Sequence, residues 1–411
     1  MDLNRIYSAC VAIAIVVAAA TSAASAQTAP SPAPAATAAP KASPAPAATP
    51  TPAPSPPPKT LQWSGFGDLG YTNSLGNTST RWANNSPSRV FDYLNKQPDF
   101  QNVNGQVVLT SGNFGGKIEV SAGTDADIIA SYPGAFSGFD VTQAYLTYTA
   151  GKFTLQGGKF ETLAGAEVIE SPSNTQFSRS ILFGYAVPFT HTGARLTYAY
   201  NSHLSLIGGV NEGWDEIKST NGRYTAEYGL AFNPSSALSF TAQGYTGIEQ
   251  LANYTNPYNP YVQGTGNGVP SGAQGQRTLI DAVGTWHVTS ALTFAANYDH
   301  GRQANASLYT IDGSNTASWS GLAGYATYQF DPKLSASVRY EGFNDSDGYR
   351  TGFQQLWHEG TATLAYNLSN NAIVRGEYRH DYSTVPSFFQ SNLVTPYSQN
   401  QTVGLELLIK Y

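Results

Sequence analysis

From Leu61 onward, apolar residues alternate with polar or small ones along segments of about ten residues. "KIEVSA" sets Ile118, Val120 and Ala122 against Lys117, Glu119 and Ser121. "ARLTYAY" sets Leu196, Tyr198 and Tyr200 against Arg195, Thr197 and Ala199. In "AIVRGEYRHDY", Arg375, Glu377, Arg379 and Asp381 all fall on one side. Successive side chains of a strand point to opposite faces, so a period of two marks a strand with one apolar face. The pattern predicts sixteen strands, over 61–72, 103–111, 115–124, 139–149, 152–161, 190–200, 203–212, 223–233, 236–247, 277–288, 291–302, 316–330, 333–344, 354–367, 371–383 and 397–411. The fifth is the least regular, because Lys159 and Glu161 share a face with Phe153 and Leu155.

The intervals between these strands alternate in length. Short ones, such as "GNF" (112–114), "AG" (150–151) and "DPK" (331–333), are made of turn formers, whereas long ones such as 251–276 are rich in Gly, Pro and Asn. An even strand number with short turns on one rim and long loops on the other is the signature of a closed antiparallel up-and-down transmembrane β-barrel. Its short turns are periplasmic and its long loops extracellular. Lipid offers no hydrogen-bond partners, so a sheet that crosses it must close on itself. Trp63, Tyr148, Tyr200, Phe232, Trp286, Phe330 and Tyr366 lie near the short-turn ends and are expected to form an interfacial girdle.

Sixteen strands leave an aqueous channel rather than a packed interior. Parity assigns Lys117, Glu119, Arg195, Glu227, Arg339, Glu341, Glu359, Arg375, Glu377 and Arg379 to the lumen wall, with Asp68, Asp281, Asp299, Asp381, Glu406 and Lys410. In a wet lumen these charges are expected to be solvated. The third long connection, 162–189, is less polar than the others and carries Ile181, Leu182 and Phe183 together, which suits packing against a barrel wall. Folded inward, it would narrow the pore, with Glu167, Glu170 and Arg179 at the constriction, where a single charge most affects ion choice. The competing arrangement is a helical lid on the outer rim.

Composition agrees with export to a membrane. Residues 1–26 read as a cleaved secretory signal, with the apolar run "ACVAIAIVVAAA" and a closing "ASA". Residues 27–59 hold only Ala, Pro, Ser, Thr, Gln and Lys, the composition of a disordered periplasmic tether. The barrel is expected over 60–411. Charged residues make up 12% of the chain, about half the ~25% usual for soluble domains. A net charge of −6 argues against nucleic acid as a partner. The sequence shows no nucleophile elbow, metal-ligand spacing or phosphate-cradling loop, so neither an enzyme nor a cofactor or metal is expected. His300, His358 and His380 are expected to face outward at headgroup level.

The chain ends "TVGLELLIKY", with Leu407, Ile409 and Tyr411 at alternate positions. A terminal aromatic after alternating apolar residues is the form of signal by which the barrel-assembly machinery recognises outer-membrane barrels. Closure also requires this last strand to pair with the first, "LQWSGFGDLGYT".

A block near the third loop carries a family resemblance. Its residues are Gly158-Lys159-Phe160, Gly165 and Glu167, Asn174, Ser178-Arg179-Ser180, Pro188, and His191-Thr192-Gly193, followed by Asn211, Gly213, Trp214 and Asp215. The block resembles the OmpL-like β-barrel porins, and the barrel pattern extends the likeness over 60–411. The resemblance implies a porin of the bacterial outer membrane that passes small hydrophilic solutes and ions, with a homotrimer as an assembly open to it. The other class still open is a surface adhesin or structural barrel with a closed lumen.

Overall fold

The computed structural model describes residues 59–76, 89–131, 138–250, 274–307, 310–389 and 396–411. The expected signal, the Ala/Pro-rich stretch up to residue 58 and most of 251–276 lie outside them. The barrel strands are β1 (Lys59–Ser74), β2 (Pro98–Ser111), β3 (Phe114–Ala122), β4 (Phe139–Ala150), β5 (Phe153–Glu161), β6 (Thr190–Ala199), β7 (Leu204–Asn211) and β8 (Thr225–Ser235). They continue as β9 (Leu238–Gln250), β10 (Gln274–His287), β11 (Leu292–Ala304), β12 (Thr316–Gln329), β13 (Leu334–Asp345), β14 (Gln355–Ser369) and β15 (Ala372–Ser383). The small hairpin β16 (Phe388–Phe389) and β17 (Pro396–Tyr397) then precedes the last barrel strand, β18 (Gln399–Lys410). Each barrel strand pairs with its neighbours in sequence, and β18 pairs with β15 and β1, which closes the barrel.

The sixteen expected strands are all present, and the main departures lie at the long-loop rim. β2 starts at Pro98 instead of 103, because a bulge opposite Asp68 and Leu69 resets the alternation that the pattern relied on. The hairpin β16–β17 inside the last long loop was not expected. The irregular fifth strand also has a local cause. Gly158 sits at φ 132, and a Cβ there would stand 2.2 Å from the Ala144 carbonyl. Only glycine fits at that point. Beyond it, Lys159 is buried and donates to both carboxylate oxygens of Asp140, at 3.0 and 2.9 Å, instead of facing lipid.

The seam runs from Phe66 opposite Lys410 to Ser74 opposite Thr402. Tyr411 extends it: its N–H donates to the Gly65 carbonyl at 3.1 Å. Its ring lies against Gly65, where a Cβ would be 2.9 Å from ring carbon Cε1. Val403, Leu405, Ile409 and Tyr411 are exposed on the outer face, while Glu406 is buried inside.

The outer wall is apolar. Leu146, Leu155, Leu206, Leu230, Leu364 and Leu405 are all exposed there, as a lipid-facing surface requires. Near the short turns the aromatics pair: Phe114 with Tyr148 (4.9 Å between centroids), Phe153 with Tyr198 (4.7 Å) and Tyr328 with Phe330 (5.0 Å). On the outer face near the long loops, His358 stacks between Tyr340 and Tyr382.

Inside the barrel lies an apolar core. It joins Val90, Phe91, Ile128 and Ile129 from the first two long loops to Ile181, Leu182, Phe183 and Tyr185 from the third. Trp319, Phe343 and Trp357 complete it from the wall.

Candidate functional site

The third loop leaves and re-enters the barrel at one point. Thr162 N–H donates to the Phe189 carbonyl at 2.9 Å, and Asp215 Oδ1 accepts from the N–H groups of Phe189 (2.7 Å) and Thr190 (3.0 Å). Asn174 folds the first half of the loop by accepting from Val168 N–H at 3.0 Å and donating to its carbonyl at 2.8 Å. Ser180 then caps a single helical turn, Ile181–Tyr185, by accepting from Phe183 N–H at 3.0 Å. Serine at this position satisfies an N–H that the turn leaves unpaired.

The loop crosses the lumen and docks on the opposite wall, where polarity is matched group by group. Glu377 of β15 accepts from the N–H groups of Phe177 (2.8 Å) and Ser178 (3.1 Å). Glu341 of β13 accepts from those of Ile181 (2.6 Å) and Leu182 (3.1 Å). The guanidinium groups take the carbonyls: Arg339 donates to Ser178 O (2.8 Å), Arg379 to Arg179 O (2.7 Å) and Arg375 to Asn174 O (2.6 Å). Glu167 on the loop accepts from Ser180 N–H at 2.7 Å and pairs with Arg339 at 2.8 Å. Bonds in which one partner is ionised are about twice as strong as neutral ones. The wall is also paired within itself, Arg339 with Glu359 (2.8 Å), Arg375 with Glu406 (2.9 Å) and Arg379 with Asp381 (2.7 Å).

The loop's other side is covered too. Phe91 lies 5.7 Å from Phe183 and 5.4 Å from Phe189, between ring centroids. Arg179 N–H donates to Asp92 at 3.1 Å, and the Arg179 guanidinium stands over Phe91 while donating to Ile169 O at 2.7 Å. Every residue from Gln176 to Phe189 is buried.

This overturns one expectation. The wall charges do face inward, but Glu119, Arg195, Glu227, Arg339, Glu341, Glu359, Arg375, Glu377 and Arg379 are buried and not solvated. Alternation reports which face a side chain takes and nothing about what packs over it. Only Lys117 in that set keeps partial exposure, 14%.

The three loop residues singled out from the sequence are not in equivalent places. Glu167 and Arg179 are buried and hold the loop in position. Glu170 lies at its edge with 20% of its side chain exposed, 3.6 Å from Lys117. Lys117 also pairs with Glu119 at 2.5 Å. Carboxylate oxygens of Glu119, Glu161 and Glu170 lie within 4.8 Å of one another. Burial, and then the negative charge of Glu119, raises the Glu170 pKa above the usual carboxylate range, with Lys117 opposing.

On the short-turn side of this group the barrel opens into a vestibule. Its inward residues include Thr147, Gln156, Thr197, Ser205, Thr241, Thr285, Thr327 and Ser335, all partly exposed. Sequence reasoning missed Arg89 and Asp92, which reach in from the first long loop. It also missed the stack in which Arg350 stands over Trp214 and Trp319. Trp214 belongs to the motif block, but no local pattern pairs it with a tryptophan a hundred residues away.

A closed antiparallel barrel with an apolar outer face, an aromatic girdle and an inward-folded third loop defines a porin of the bacterial outer membrane. The family described as "Putative beta-barrel porin-2, OmpL-like" matches residues 60–410, and the chain belongs to that family. No curated protein sequence matches the chain. Among solved structures it is similar to the outer membrane channel DcaP of Acinetobacter baumannii (TM-score 0.57, 14% identity, 86% of this chain and 97% of that one). It is also similar to an anion-selective porin from Comamonas acidovorans (TM-score 0.56, 9% identity, 86% and 100%). OmpT of Vibrio cholerae in its trimer form gives a TM-score of 0.54 at 12% identity, over 86% and 99%. At these identities the likeness is one of fold.

Proposed function

We propose that the barrel passes small hydrophilic solutes and ions by passive diffusion, and that the third loop, 162–189, sets the narrowest point. The observation that carries this is the vestibule lined by hydroxyl and amide groups that leads to the partly exposed Glu170–Lys117 pair. Hydroxyls and amides exchange hydrogen bonds with a hydrated solute without holding it, which conduction requires. Glu170 is the loop charge a solute meets. Glu167 and Arg179 act on the pore indirectly, by keeping the loop in place.

In a planar bilayer, purified refolded protein is expected to give single-channel steps, and their absence would sink the proposal. Glu170→Gln is expected to move the reversal potential in a salt gradient, whereas Glu167→Gln and Arg179→Ala are expected to alter the conductance level. A structural barrel with a closed lumen is the second reading, and the burial of residues 176–189 favours it. The bilayer experiment separates the two.

The reading includes a signal peptide at 1–26 and a tether at 27–59. The amino terminus of the membrane-inserted protein is therefore expected at Gln27. A homotrimer in outer-membrane lipid, inserted by the barrel-assembly machinery, completes it. Cross-linking in native membranes tests the trimer.

A further inference from the structure

We infer that the third loop is a removable plug, and that conduction requires residues 176–187 to leave their seat on β12–β15. The inference rests on the pore reading above. It differs from a fixed constriction, in which solutes would pass beside a stationary loop.

Three observations point the same way. First, a loop that narrows an open pore has one face on the wall and the other in water, whereas here both are covered. The wall lies on one side, and Val90 and Phe91 of the first long loop with Ile128 and Ile129 of the second lie on the other. Second, the docking avoids backbone ladders. Among the described residues, the hydrogen bonds that join 174–187 to β12–β15 all run through wall side chains: Ser337, Arg339, Glu341, Glu377, Arg379, Arg375 and Trp319. Water can replace such bonds one at a time, which it cannot do for a strand built into the sheet. The neck at Thr162 and Phe189 brings the two ends of the loop together, so the loop can swing out without disturbing β5 or β6.

Third, the wall under the loop is built to be wet. Arg339–Glu359, Arg375–Glu406 and Arg379–Asp381 are paired within the wall, so they keep partners when the loop departs. Buried ion pairs contribute little net stability compared with apolar packing of the same volume. A wall meant to stay covered would do better with leucines. One that alternates between covered and open needs charges that are satisfied in both states. Glu341, Glu377 and the free edges of the arginines would line the opened channel.

A tether tests this directly. A Cβ at Gly321 of β12 would stand 3.0 Å from Leu182 Cγ, so cysteines at these two positions lie within disulfide reach. Cys10 is the chain's one cysteine and belongs to the expected signal, so no other thiol competes in the processed protein. Full-length Leu182→Cys/Gly321→Cys protein is expressed, and its folded fraction is selected by heat-modifiable mobility. Its conductance is then measured oxidised and after reduction. Oxidation is expected to lower conductance tenfold or more, reversibly, and any reversible fall beyond twofold carries the inference. A change smaller than twofold means that solutes pass beside a stationary loop and overturns it. Folded protein that is silent in both forms overturns the pore reading itself. If this pair does not fold, Phe177→Cys/Gly404→Cys bridged by a short bifunctional methanethiosulfonate, which reduction also removes, provides a second tether, since a Gly404 Cβ would stand 2.7 Å from Cδ1 of the Phe177 ring.

Discussion

Near the short turns, β9, β10, β12 and β13 turn Thr241, Thr285, Thr327 and Ser335 inward, all partly exposed. Nearer the long loops, the same strands turn Tyr245, Asp281, Ala323 and Arg339 inward, all buried. One sheet thus encloses two interiors. The lower is a vestibule whose inward residues are mainly hydroxyl and amide groups, with Lys410 and a small apolar cluster of Phe66, Ile373 and Leu408. The upper is a protein core, with rings stacked between loops and charges paired against the loop backbone. The lumen is aqueous when empty, so apolar loop side chains gain by leaving water there as they would in a soluble domain. The outer wall gains nothing comparable, since lipid is as apolar as the side chains it touches. A barrel can therefore acquire a hydrophobic core by folding its loops inward.

The largest effect is expected at the seam that both halves share. Deleting Tyr411 removes its bonds and ring contact at Gly65, and outer-membrane levels of the protein should fall steeply. The molecules that do insert should keep normal unit conductance; normal levels would count against the seam. Next, Arg339→Met should cost about 3–5 kcal/mol, because Glu167 and Glu359 lose their buried partner. Thr327→Ala in the vestibule should cost about 0.5 kcal/mol or less. Denaturant unfolding of the refolded protein measures both, and similar costs would erase the distinction between the halves.

Phe183→Ala should cost about 3 kcal/mol. The loss should be confined to the loops: limited proteolysis should cut within 162–189 sooner, while strand content by circular dichroism stays unchanged. A smaller effect than that of Phe183 concerns the fourth long loop, 212–224. Burial, reinforced by the charge of Glu249, pushes the Glu216 pKa up to about 7, against hydrogen bonds from Thr220. A carboxyl whose folded pKa is raised contributes stability that is full below its unfolded value and lost as pH rises through the folded one. Between pH 6 and pH 8 the loop should lose on the order of 1 kcal/mol, read as roughly fivefold faster amide exchange after correction for intrinsic rates. Glu216→Gln should flatten that difference, and a wild-type loop that is equally protected at both pH values would refute it.

The vestibule was the more legible half. Inward Thr197 and Thr285 and outward Leu196 and Trp286 follow from parity, and parity survives wherever no bulge intervenes. It failed opposite Asp68, where a bulge resets the count. In the upper half, parity read the facing of Arg339, Glu341 and Glu377 correctly but not their partners. The apolar run Ile181-Leu182-Phe183 signalled that the loop packs. Nothing local showed that Phe91, from the first loop, would close over it.

Strand number, the facing of most side chains and the pairing of the last strand with the first were determined by sequence alone. Alternation and turn chemistry act between near neighbours, and a sheet in lipid has no alternative to closure. What fills the lumen was decided only by the tertiary structure. The bond from Ile181 N–H to Glu341 joins residues 160 positions apart, and no spacing rule links an amide in a loop to a carboxylate on the far wall. Whether an inward charge meets water or a loop depends on which surfaces the closed barrel brings face to face.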